Sequence, residues 1–245
     1  MRASRERGGK DCNMKNANGK NRKNGTSVGR NPDLTELVFV LDRSGSMSGM
    51  ERAVIDGFNG LVEKQRRVPG RALVSVELFD DRFDVVYDRV ALEAVRPLTE
   101  REYYTRGCTA LLDAVGRAIR HIARKQREAR PAERPGHTLF VINTDGYENA
   151  SREYTRERIR EMVREEEGKY GWEFLFLGAN IDSYGEAGAL GIRAEMTCNV
   201  VADAGGVEAN FESVSKAARH MRMKGVAGCA WREQVDRDWK TRGGP

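Results

Sequence analysis

The 245 residues suffice for one α/β core or two small domains, and the composition, 39% apolar and 32% charged, is that of a folded chain with tails. The formal net charge of +5 is uneven, because residues 1–30 hold nine Lys or Arg against Glu6 and Asp11, a local +7 that leaves −2 for the remainder. Cys12, Cys108, Cys198 and Cys229 are too irregularly spaced for zinc pairs or a disulfide framework, and no apolar run approaches the ~20 residues of a membrane span.

Taken in order, residues 1–33 read as a basic, Gly- and Asn-rich disordered tail ending at Asn31-Pro32-Asp33. Such a flank can attract nucleic acid, but it lacks aromatic residues to stack on bases. No apolar secretory core follows Met1, so a cytoplasmic protein of bacterial type is expected. Glu36 to Leu41 predicts a central parallel strand, apolar on both faces. From Met50, the residues Ala53, Val54, Phe58, Leu61 and Val62 recur at helical spacing, with Gly57 on the same face allowing close approach to the sheet. Pro69-Gly70 ends that helix.

Ala72 to Phe79 and Phe83 to Val90 are strands joined by only Asp80-Asp81-Arg82, so they must pair antiparallel. Tyr103 and Tyr104 read as packing or rim residues before a helix carrying Leu111, Leu112, Val115, Ile119 and Ile122. Asp113 in its first turn complements the helix dipole. Arg124 to Arg134 reads as a charged surface connection to the strand around Leu139. A charged helix marked by Ile159, Met162 and Val163 follows, then a strand from Trp172 to Leu177. A short helix spans Tyr184 to Leu190, an edge strand Thr197 to Val201, and a last helix is striped by Val207, Phe211, Val214, Ala218 and Met221. Beyond Gly225 periodicity fades, and Trp231 and Trp239 are expected to dock a tail, residues 225–245, onto the domain.

Three stretches carry chemistry. The first strand ends in Asp42-Arg43-Ser44-Gly45-Ser46, in which Asp42, Ser44 and Ser46 offer only oxygen where α/β sheets bind ligands, which suits a hard cation such as Mg²⁺. Gly107-Cys108-Thr109 opens a helix, and Thr144-Asp145-Gly146 ends a second buried strand. Without a metal, Ser48 and Thr109 would cap their helices while Asp42 and Asp145 bonded loop amides. Glu148 is a further acid beside the presumed crevice, without motif support.

Together the three pieces resemble the metal-ion-dependent adhesion site (MIDAS) of von Willebrand factor type A domains, in the family's order. The resemblance implies a doubly wound, mostly parallel central sheet with one antiparallel edge strand and helices on both faces, over residues 34–224. It implies Asp42, Ser44, Ser46, Thr109 and Asp145 as ligands of Mg²⁺ or Mn²⁺, the remaining positions of an octahedral ion being filled by water that a partner protein's Asp or Glu displaces.

The expectation is therefore a metal-dependent protein-binding module and not an enzyme. Ser44-Gly45-Ser46 is no nucleophile elbow, no phosphate loop is present, and His121, His137 and His220 lie outside the site loops. The alternatives are an RNA-associated component using the basic tail, and a Mg²⁺-dependent hydrolase.

Overall fold

The computed structural model describes residues 29–243. Of the segment 1–33 read as a disordered tail, residues 1–28 lie outside the described residues, while Asn31 to Asp33 belong to the first strand. Six strands form one sheet in the order β3-β2-β1-β4-β5-β6: β1 (Asn31–Asp42), β2 (Arg71–Phe79), β3 (Phe83–Ala91), β4 (Pro135–Thr144), β5 (Glu173–Ala179) and β6 (Thr197–Val200). All neighbours are parallel except the β2–β3 hairpin at the edge, as the three-residue connection requires. The chain winds outward from β1 to β2 on one side and to β4 on the other, so the loops after β1 and β4 diverge over a crevice at their carboxyl ends.

β1 begins at Asn31, five residues before the apolar run at Glu36. The Asn31 amide donates to Arg134 O at 2.7 Å and the residue pairs with Pro135 of β4. Backbone pairing needs no apolar side chain, which is why the sequence pattern starts later than the strand.

Helices α1 (Glu51–Arg66) and α5 (Ala204–Lys224) pack together, as do α2 (Leu111–Glu128) and α3 (Arg156–Tyr170). Alternate residues of β1 serve the two sheet faces. Phe39 meets Phe58 of α1 edge-on at 5.4 Å, while Glu36 on the other face reaches Gln126 of α2. α2 runs on through Arg124 to Glu128, into what the charge run suggested was a loop. The reason is Gln126, which turns inward and donates to Glu36 Oε2 at 2.8 Å and Thr138 Oγ1 at 2.9 Å.

Gly57 faces a helix and not the sheet. A Cβ there would stand 2.4 Å from Phe211 Cδ2 of α5. Gly57→Ala at an open helix position would gain about 1 kcal/mol. Here overpacking against a buried ring, about 1–3 kcal/mol, is expected to reverse the sign, and a lower denaturant midpoint than wild type would show it. Besides Asp42, the strands bury Glu36 and Glu77 completely. Glu36 accepts from Arg89 Nε and Gln126 Nε2, both at 2.8 Å, but neither oxygen of Glu77 has a hydrogen-bond partner.

α4 (Ser183–Ala189) and α6 (Glu233–Asp238) complete the fold near β6. The segment after Gly225 docks as expected of its tryptophans: Trp231 and Val235 are buried, Trp239 is half-buried, and α6 packs on α5 and β6. None of the described helices is long and apolar enough to cross a membrane.

Candidate metal centre

The acids that end β1 and β4 come together because these strands pair directly, with Leu41 opposite Asn143. Ser46 donates to Asp145 Oδ1 at 2.5 Å, and the Ser44 and Ser46 hydroxyls lie 3.0 Å apart. Asp42 Oδ1 accepts from the Ser44 amide at 2.7 Å. Thr109 arrives from the loop before α2, and Gly146 reports its position: a Cβ there would stand 3.1 Å from Thr109 Oγ1 and 3.4 Å from Ser46 Oγ. The structure thus gathers Asp42, Ser44, Ser46, Thr109 and Asp145 from three loops into one crevice. Asp42, Ser44, Thr109 and Asp145 are buried, and Ser46 faces solvent.

Neither helix uses the cap that a metal-free reading requires. α1 starts after Met50 with no side-chain cap, and Gly49 N instead donates to Glu51 Oε2 at 2.7 Å. α2 starts after Ala110, which has no oxygen to offer, so the Thr109 hydroxyl is not spent on the helix.

The electrostatics suit a cation. Burial pushes the Asp42 carboxyl up to about 6, against hydrogen bonds from Thr144 and Ser44 and with the charge of Asp145 adding to the rise. Burial also raises Asp145, opposed by the bond from Ser46. The nearest guanidinium in the motif, Arg43, turns away: its Nε donates to Asp80 Oδ2 at 2.9 Å and its other end pairs with Asp84. Asp145 Oδ2 is buried without a hydrogen-bond partner. Two desolvated carboxylates, three hydroxyls, one orphan oxygen and a glycine that keeps the space above them clear fit a hard, oxygen-seeking divalent ion. Among the described residues no three His, Cys, Asp or Glu side chains converge on a metal position, so such an ion would lean on the hydroxyls.

Sequence reasoning missed the residues that hold these donors in place. Thr144 donates to Asp42 Oδ2 at 2.6 Å, and buried Tyr103 donates to Asp42 O at 2.6 Å. Arg106 joins Arg43 on the same acids, with Nε 2.6 Å from Asp80 Oδ2 and Nη2 3.1 Å from Asp84 Oδ2. Both guanidinium carbons lie over the Tyr104 ring, at 5.4 and 5.3 Å. Tyr104 and Tyr147 are exposed at the rim. Asn180 and Asp182 stay outside the site; Asp182 caps α4, accepting from Gly185 N at 3.0 Å. Glu148 bonds backbone amides at the start of α2 and in its own loop.

No family model matches the sequence, and no curated protein matches it by sequence. Solved structures do match the fold. Proximal thread matrix protein 1 from the mussel byssus, in a form with a zinc-occupied MIDAS motif, superposes with a TM-score of 0.54 at 18% identity, over 78% of this chain and 46% of that one. A von Willebrand factor type A protein from Catenulispora acidiphila gives 0.53 at 14% identity, over 78% and 43%. The D319A mutant of the PilB minor pilin from Streptococcus sanguinis gives 0.50 at 13% identity, over 86% and 63%. The chain spans about half the length of the first two proteins. At these identities the likeness concerns the fold: a doubly wound α/β sheet of the von Willebrand factor type A kind.

Proposed function

We propose that this chain is a von Willebrand factor type A binding module in which Asp42, Ser44, Ser46, Thr109 and Asp145 hold Mg²⁺ or Mn²⁺ and a protein partner supplies an Asp or Glu carboxylate. The observation that carries the reading is the convergence of five oxygen-bearing side chains with no basic group among them and Asp145 Oδ2 left without a partner. When bound, the cation supplies open coordination positions for an incoming carboxylate oxygen.

The chain's own residues do the rest. Asp42 is oriented by Thr144 and Ser44, Ser46 and Asp145 approach from opposite loops, and Gly146 leaves the approach open. Tyr104 and Tyr147, exposed in the loops that carry Thr109 and Asp145, offer aromatic surface of the kind that anchors protein interfaces. The mussel protein's zinc-occupied MIDAS on the same fold supports the metal assignment.

Binding rather than catalysis is supported by the placement of the histidines. His121 pairs with Asp88 at 3.0 Å, His220 bonds Val226 O at 2.7 Å, and His137 lies against Gly225. All are remote from the five converging groups, so no imidazole base serves the crevice.

The test is capture of partners from native lysate on wild type and Asp145→Ala, each with Mg²⁺ and with EDTA, after the variant's fold has been checked. A protein retained only by wild type with metal is the expected result. Retention of the same proteins or RNA in all four conditions would remove the crevice as the recognition surface and point to the basic residues 1–30.

A further inference from the structure

α2 begins with a deficit. The first amides of a helix lack intrahelical acceptors, and Ala110, the residue before Leu111, has no side-chain oxygen. The acceptors come from the loop after β4. Glu148 Oε2 accepts from Leu112 N at 2.9 Å, and Ser151 Oγ accepts from Asp113 N at 3.0 Å while donating to Glu148 Oε2 at 2.7 Å. Glu148 Oε1 gathers its own loop, accepting from Ala150 N at 2.9 Å and Ser151 N at 2.7 Å.

The exchange is reciprocal. Asp113, in the first turn of α2, accepts from Arg152 N at 2.9 Å, Glu153 N at 2.8 Å and Tyr154 N at 2.9 Å. Asn149 closes the remaining gap, accepting from Thr109 N at 2.9 Å and donating to Thr109 O at 3.0 Å. One turn further along α2, the Tyr154 ring covers Gly116, where a Cβ would meet it at 2.4 Å. Both carboxylates also sit where the partial positive charge of the helix start favours them.

We propose that Glu148 and Asp113 are positioning residues that set the metal affinity of the crevice by locking Thr109 and Asp145 into one unit. This deepens the metal-binding reading and rests on it. Neither acid is among the five converging groups, yet Asp145 lies three positions before Glu148 and Thr109 four before Asp113. Over so few residues, fixing the two acids fixes the two ligands. By capping α2 from outside, the clamp also leaves Thr109 Oγ1 for the crevice. The helix-dipole role that the sequence suggests for Asp113 is thus the smaller part of what it does.

The experiment measures Mn²⁺ affinity of the full chain by electron paramagnetic resonance at fixed pH, alongside melting without metal. Glu148→Ala and Asp113→Ala are expected to bind Mn²⁺ roughly 10–100-fold more weakly, the loss typical when groups orienting metal ligands are removed. Glu148→Gln and Asp113→Asn, which keep one carbonyl acceptor and the side-chain shape, serve if the alanine variants fail to fold, with an expected loss of about 10-fold. Asp203→Ala supplies the contrast. It removes the cap of α5, an acceptor for Gly206 N at 2.8 Å, and should lower the melting temperature while leaving Mn²⁺ affinity unchanged.

Wild-type affinity in the folded Gln and Asn variants would overturn the proposal, as would an equal loss in Asp203→Ala. If wild type binds Mn²⁺, Asp145→Ala does not and the Glu148 variants bind normally, the clamp falls and the metal centre stands. If wild type binds none, both fall together.

Discussion

Mg²⁺ or Mn²⁺ at about 100 times its dissociation constant is expected to stabilise the wild type by about 2.7 kcal/mol. For a folded unit of this size, that is an upward shift in Tm of about 5–10 °C. The same addition should move Asp145→Ala and Asp42→Ala by less than about 1 °C, because each loses one of the two carboxylates, and the other carboxylate with three neutral hydroxyls cannot replace it.

The order should reverse in EDTA. Without a cation, Asp42 and Asp145 are desolvated carboxylates of like charge, both pushed up by burial, and the Arg43 guanidinium is committed to Asp80 and Asp84. Asp145→Asn should therefore melt at or above wild type in EDTA, yet below it in metal. Differential scanning fluorimetry of the three variants with and without metal gives the answer, and equal metal-induced shifts in all of them would sink the assignment. The crossing of the two orders separates a ligand-binding defect from simple damage, which lowers Tm in both conditions.

The second large effect concerns Glu77 and pH. It is fully buried in β2, neither oxygen is hydrogen-bonded, and burial raises its carboxyl to about 8, with the charges of Asp88 and Glu36 adding to the rise. Folded Glu77 thus keeps its proton up to about pH 8, whereas the unfolded chain releases it near 4.5. Between those values the folded state holds the extra proton. Its contribution to stability is full below about 4.5 and is lost as pH rises through about 8.

The loss at pH 8 is about 4 kcal/mol on the order of the linkage relation. Glu77→Met keeps the volume and removes both unpaired oxygens, so it should be more stable than wild type by several kcal/mol at pH 8 and by little at pH 4.5. Urea unfolding at the two pH values measures this directly. An unchanged pH slope in the variant would mean that another group carries the titration, Glu36 being an equally buried acid that burial also raises.

The parts of this molecule that could be read from its sequence are those written in short, contiguous stretches. Asp42, Ser44 and Ser46 stand within five residues at the end of an apolar run, and Asp145 ends another, so strand ends and oxygen donors are visible together. The hairpin of β2 and β3 was legible because three residues permit only one pairing. The clamp was not, because it joins residues 36 to 41 positions apart, and Ala110 gives no sign of where its helix finds acceptors. Gly57 announced close packing but against the wrong neighbour, the sheet, since Phe211, which it meets, lies on the last long helix. Glu77 is one acid among the Val and Leu residues of β2. Only the helices on both faces of the sheet make it an interior acid.

The sequence separations across the crevice bear on how the protein folds. Ser46 and Asp145 are 99 positions apart, Asp42 and Thr144 are 102, and the two strands that carry them are parallel neighbours at the centre of the sheet. Closing so long a segment carries an entropic cost that is met before any contact there repays it. The donors are therefore scattered through most of the search for the native state. A ligand of this crevice has nothing to grip until β1 and β4 have paired. It cannot hasten the arrival of the fold, and acts by slowing escape from it, as interactions absent from the transition state do. Occupancy of the crevice would show as a longer-lived native protein that refolds no faster than before.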